Sequence, residues 1–120
     1  MNSLSGTEFE DLCCRLLLKM GFFIVKTSLS ANGSIEFIAT YNRPMFKGIY
    51  VILCKDNKDT VGVATVRELY SIVSDEQSNK GILITTGQFS YSAINFAEDS
   101  NLELIDGDAL NALLNEYGLK

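Results

Sequence analysis

Residues 32–55, NGSIEFIATYNRPMFKGIYVILCK, decide how the chain reads. Asn32-Gly33 is a strong type I′ turn signal, because both central residues of that turn need positive φ. Ser34 to Tyr41 follows with the strand formers Ile35, Phe37, Ile38 and Tyr41. Gly48 to Cys54 is a second apolar run, of the kind a fully buried strand shows. The stretch therefore reads as a hairpin, its strands joined by a loop over 42–47 that holds the single proline, Pro44. Two charges interrupt the apolar strands: Glu36 in the first and Lys55 at the end of the second. A buried carboxylate or ammonium left alone is costly, so each must pair, hold a metal ion or reach water.

Upstream, Ser5-Gly6-Thr7-Glu8 has the form of a capping box. Phe9, Leu12, Cys13, Leu16, Leu17 and Met20 then recur at helical spacing, and Gly21 supplies a stop. Glu10 lies beside that stripe, where a solvated flank residue is the alternative to a functional one. Phe22 to Lys26 predicts a short strand and Thr27 to Ala31 a polar loop. Downstream, Asp56 to Thr60 is polar. A helix is expected over 64–75, with Val63, Val66, Tyr70 and Val73 on one face. Gly81 to Thr86 reads as a buried strand. Ser90 opens a helix carrying Ala93, Phe96 and Ala97, and Leu102 to Ile105 is a last strand. Asp106 or Asp108 caps a final helix with Leu110, Leu113, Leu114 and Tyr117, which stops at Gly118. The order is αβββαβαβα. A helix, an antiparallel meander and then crossover helices imply an α/β fold, a mixed sheet with helices on both faces. The length of 120 residues is that of one domain, 1–120.

With 47% hydrophobic residues the chain can build one core without staples. The net charge is −5, whereas a free-standing nucleic-acid binder is usually basic, so any DNA contact must be local or shared with a partner. No apolar run approaches the ~20 residues that span a bilayer. The start, Met-Asn-Ser-Leu-Ser-Gly, has no basic region followed by an apolar one, so a cytoplasmic protein without membrane contact is expected. There is no histidine, which excludes Ser-His and Cys-His nucleophile pairs. Cys13, Cys14 and Cys54 contain no CxxC pair and do not make a zinc site; Cys13 and Cys54 read as small core residues. Chemistry is left to carboxylates, Lys, Tyr or a metal.

Glu36 and Lys55, on adjacent antiparallel strands, can lie side by side. A carboxylate that holds a divalent cation, with a lysine beside it to stabilise phosphoryl charge, is one use of such a pair. A strand-end salt bridge is the other. Thr85-Thr86-Gly87, leading into the helix at Ser90, is a second place where backbone N–H groups could hold a phosphate, or simply a strand end and an N-cap. The five tyrosines are spread out and form no readable stacking platform.

Several blocks carry a resemblance. They are Phe9-Glu10 with Leu16-Leu17 and Met20-Gly21-Phe22; Asn32 to Glu36; Val51 to Lys55; Val63 to Leu69; Lys80 to Ser90 with Ala93 and Phe96-Ala97; and Leu104-Ile105-Asp106-Gly107. Together they resemble the catalytic domain of the Mrr family of restriction endonucleases, within the PD-(D/E)XK nuclease superfamily, over nearly the whole chain. The resemblance implies a restriction-endonuclease-like fold and a metal-dependent DNA phosphodiesterase site. By position, Glu10 matches the family's acidic residue in the first helix, Glu36 stands at its metal-binding Asp, and Lys55 matches its catalytic Lys. Glu36 and the Cys54 backbone carbonyl would hold Mg²⁺, with Glu10 acting through water. The departures thin the site. Asn32 replaces an Asp, Ser34 a Gly, and Asp56 a basic residue. Leu53 replaces a Gln or Glu and offers no oxygen.

Two functions follow from this. One is a Mg²⁺-dependent DNA endonuclease using Glu10, Glu36 and Lys55. The other is a decayed nuclease fold that serves as a DNA-associated or protein-binding module. A structural dimer built on an edge strand is a third. Family members commonly carry a separate DNA-recognition domain, so a homodimer or a partner protein is expected to supply substrate choice.

Overall fold

The computed structural model describes residues 6–29 and 33–119. Ser5 of the capping box and Asn32 of the predicted turn lie outside them, while Gly33 has the positive φ of 87° that a turn glycine provides. Helix α1 (Gly6–Met20) leads through Gly21, at φ 106°, into β1 (Phe22–Leu29), β2 (Ile35–Tyr41) and β3 (Gly48–Lys55). Then come β4 (Thr60–Val61), α2 (Val63–Glu76), β5 (Lys80–Thr85), β6 (Gln88–Phe89), α3 (Tyr91–Asp99), β7 (Leu102–Ile105) and α4 (Gly107–Glu116). The expected order is present, with β4 and β6 added as a two-stranded parallel pair. Two residues each are too few to leave a period in the sequence.

The main sheet runs β1-β2-β3-β5-β7, antiparallel from β1 to β3 and parallel from β3 to β7. Its two faces bury different clusters. Phe9, Cys13, Leu16 and Leu17 of α1 and Leu110 and Leu114 of α4 pack on Ile35, Phe37, Ile52, Cys54, Ile82 and Ile84. Val66 and Leu69 of α2 and Ala93 and Ala97 of α3 pack on Ile38, Val51, Leu53, Leu83 and Leu102. Alternation along β3 separates the two sets, since neighbouring residues of a strand point to opposite faces.

Two local expectations are corrected. Strand β1 does not stop at Lys26: Thr27, Ser28 and Leu29 pair with Phe37, Glu36 and Ile35. The ladder overrides a polar sequence there. On α2 the buried residues are Thr65, Val66 and Leu69, whereas Tyr70 is 46% exposed and meets Phe96 edge-on with ring centroids 5.8 Å apart. The helix caps match their signals: Ser90 accepts the Ala93 N–H and Asp106 the Ala109 N–H.

Candidate active site

In the antiparallel register Glu36 lies opposite Leu53. Directly opposed residues share a face of the sheet, and Lys55, two residues beyond Leu53, returns to it. Glu36 and Lys55 are thus diagonal neighbours, with Cβ atoms about 7 Å apart. On the other flank β5 sets Leu83 beside Leu53 and Thr85 beside Lys55. Both charged side chains are half-buried, and neither has an ion-pair or side-chain hydrogen-bond partner among the described residues. The strand-end salt bridge is therefore not the arrangement here; the charges meet their solvation cost by reaching water.

The backbone around Lys55 is firmly held. Its carbonyl accepts the N–H groups of Asn57 at 3.1 Å and Thr86 at 3.4 Å. The buried Thr85 hydroxyl donates to the Asn57 carbonyl at 3.3 Å and accepts the Gly87 N–H at 3.2 Å. Thr86 Oγ1 donates to Asp56 Oδ1 at 2.9 Å, so that carboxylate is turned onto the end of β5. These bonds lock the loop after β3 against β5 and fix where Lys55 leaves the sheet.

Leu53 is fully buried in the cluster under α2 and α3, so methyl groups adjoin Glu36 where an oxygen donor was expected. Cys54 is also fully buried and points to the opposite face. Burial first, and then contact with the Cys13 thiol, push the Cys54 thiol well above its ordinary range. The Cys54 backbone lies between β2 and β5, and a ladder bond there would leave its carbonyl one further lone pair.

Glu10, expected to act through water, sits on the helix that covers the other face of the sheet. Helix α1 packs on the Cys54 face, because its stripe of Phe9, Cys13, Leu16 and Leu17 requires an apolar floor and that face supplies one. The thiol contact between Cys13 and Cys54 puts the start of α1 at the Lys55 end of the sheet. Glu10 is half-buried one turn from Cys14, whose thiol is raised by burial and then by Asp11 and Glu10. It could reach the pair only around the strand end, through water.

One side chain that pattern reading passed over joins the face of Glu36. A β-bulge between Ile24 and Lys26 sets Lys26 opposite Ile38. Without the bulge, alternation would send Lys26 to the other side. No sequence signal marks it.

The second place, at Thr85-Thr86-Gly87, is consumed by internal bonds and by the Ser90 cap. The cavity beside it, about 460 Å³, is lined by Asp59, Asp106, Asp108 and a single Lys58, the wrong sign for phosphate. No group of three or more His, Cys, Asp or Glu among the described residues is arranged to hold a metal ion. No helix among them is long and apolar enough to cross a membrane.

Known proteins share this fold and family. The Mrr catalytic-domain model, described as a restriction endonuclease, covers residues 1–114. The type IV methyl-directed restriction enzyme EcoKMrr of Escherichia coli K12 is 25% identical over 123 residues, covering 96% of this chain but only 40% of that enzyme. The DNA modification-dependent restriction endonuclease AspBHI superposes with a TM-score of 0.70 at 18% identity, over 92% of this chain and 32% of its own. The protein of unknown function AF1548 superposes at 0.69 with 20% identity, over 92% of this chain and 66% of its own. Both structures have the fold found here.

Proposed function

Because the chain belongs to the Mrr catalytic-domain family of restriction endonucleases, we propose that residues 1–120 form one nuclease domain that hydrolyses phosphodiester bonds in DNA, with Glu36 and Lys55 as its catalytic residues. One observation carries the reading: two opposite charges share a half-exposed face of the central strands, diagonally adjacent, and spend nothing on each other. DNA as substrate is taken over from the names of EcoKMrr and AspBHI. The Lys55 ammonium would lie against a phosphoryl oxygen and stabilise the charge that builds there. The Glu36 carboxylate would orient a water and take its proton. Leu53, Ile38 and Val51 form a dry wall beside both.

The residues fit Mg²⁺ only as a weakly held ion. Glu36 would supply the direct carboxylate and Cys54 a shared carbonyl, with water and DNA phosphate completing an octahedron and Glu10 acting through water. When bound, the ion would acidify a water and offset phosphoryl charge. Calorimetric titration should show no tight Mg²⁺ binding without DNA; micromolar affinity abolished by Glu36→Ala would contradict this. A cytoplasmic protein acting as a homodimer, or with a partner that chooses the sequence, completes the reading.

A second reading, the decayed module, is favoured by one specific observation: Leu53 is packed as core at the position of an oxygen donor. Incubation of supercoiled plasmid with Mg²⁺ or Mn²⁺ separates the two. Nicking by wild type that is lost in Glu36→Ala and Lys55→Ala supports the enzyme. Binding without nicking by any folded form supports the module.

A further inference from the structure

Charge is unevenly divided along the chain. Residues 22–55 carry four basic side chains and one acidic, whereas residues 56–120 carry four basic and eleven acidic, and α1 opens with Glu8, Glu10 and Asp11. The first group builds strands β1 to β3; the second builds β5, β7 and helices α2 to α4. The sheet order therefore turns this division into a spatial one, with a basic edge at β1 and an acidic edge at β7. The net −5 conceals it.

The basic edge also carries uncovered sheet. On the face of Glu36 and Lys55, helices α2 and α3 bury Ile38 of β2 but no residue of β1. Phe23, opposite Thr40 and thus in line with Ile49, is 70% exposed on that face. Lys26 joins it through the bulge, and such bulges re-aim side chains near functional sites. A shallow groove of about 560 Å³ continues between Phe23, Thr40, Ile49 and Lys47. It ends at the turn over 42–47, which is rigidly built. Tyr50 donates its hydroxyl to the Phe46 carbonyl at 2.9 Å, the Phe46 N–H bonds the Arg43 carbonyl at 3.1 Å, and Arg43 turns away from the groove to stack over Tyr41 at 6.0 Å, on the α1 side beside Gly21. Met45, 95% exposed, crowns the turn between Arg43 and Lys47. Lys26 and Lys47 have no acidic partner among the described residues.

We propose that this uncovered β1–β2 face, from Lys26 to Lys47, is the seat for the backbone of a DNA duplex, and that it lays the scissile phosphate on Glu36 and Lys55. The proposal rests on the nuclease reading for the identity of the polyanion. Its own content is the place and the residues. From Glu36 to the turn is about 17 Å of strand, which matches about five base pairs of duplex rise. Exposed apolar side chains among phosphate-binding cations suit a groove wall, where Met and Phe are used as wedges.

The test is DNA binding without cleavage. A short fluorescent duplex in metal-free buffer is titrated by anisotropy at several salt concentrations. Lys26→Glu and Lys47→Glu should each weaken binding about tenfold or more, and the double variant Lys26→Glu/Lys47→Glu should flatten the salt slope by about 2. Lys26→Arg should bind as wild type, and so should Arg67→Glu, a charge reversal on α2 in the acidic half. Melting curves keep misfolding out of the comparison. Equal losses from Arg67→Glu, or none from Lys26→Glu and the double variant, overturn the seat. So does a wild type that binds no duplex but forms a salt-sensitive dimer lost in these variants, which would give the surface to the acidic edge of a second copy. Wild type and Lys55→Ala that both bind through the seat, with neither ever nicking DNA, would leave the seat standing and remove the nuclease reading.

Discussion

At the scale of single residues, Leu53 and the thiols expose the balance between site and core. Leu53 is fully buried beside a carboxylate, among Ile38, Val51, Leu83, Val66 and Leu69. Truncation to Ala should cost about 2–5 kcal/mol in urea unfolding. Leu53→Glu should cost more, because it adds an uncompensated charge in the same place, and Leu53→Gln should fall between. A Leu53→Glu protein as stable as wild type would show that the position opens to water and is part of a working site. Cys54 is buried against Cys13, while Cys14 is half-exposed. Thiolate is the reactive form, so alkylation should begin at Cys14 and spare Cys13 and Cys54 until the chain unfolds. The folded state keeps the Cys54 proton to higher pH than the unfolded chain does. Stability from this group is complete below the ordinary thiol range and falls as pH rises through and beyond it. Urea midpoints above pH 9 should therefore drop less in Cys54→Ala than in wild type, measured against each protein at neutral pH; equal drops would assign the loss to other groups.

At the scale of elements, contacts between strands and helices decide what the amino-acid pattern leaves open. Gly81 of β5 lies under α2, where an added Cβ would stand 2.6 Å from Val73 Cγ2 and 2.8 Å from Leu102 Cδ2. Gly81→Ala should lose about 1–3 kcal/mol by overpacking, read from thermal melting; an unchanged melting temperature would mean that α2 is free to shift. The apolar runs of β3 and β5 and the caps at Ser90 and Asp106 were legible because each has a purely local cause: desolvation of consecutive side chains, or one oxygen serving one helix terminus. The far half of β1 was not legible, since Thr27 and Ser28 are held by the ladder to β2 and not by their own preference. The bulge that turns Lys26 is likewise a property of register. Which face α1 would choose also lay outside the pattern. An amphipathic stripe reports that a helix packs, and only the partition of Leu53 and Cys54 between two clusters shows where. That is why Glu36 and Lys55 could be paired from sequence while the face of the sheet that Glu10 flanks could not be read.

At the scale of the whole molecule, an acidic chain presents a basic edge where the sheet is uncovered, and Glu36 and Lys55, without a partner among the described residues, sit on that face. The chain spans 40% of the length of EcoKMrr. The central claim is narrower: Glu36 and Lys55 act as one catalytic unit. A double-mutant cycle on single-turnover nicking of plasmid DNA in Mn²⁺ tests it most directly. Residues that act as a unit are strongly non-additive. Glu36→Ala, Lys55→Ala and the double variant should each lose about 10²-fold or more, falling to one common floor. Losses that multiply in the double variant, either single variant that keeps the wild-type rate, or a folded wild type that does not nick DNA would contradict the account.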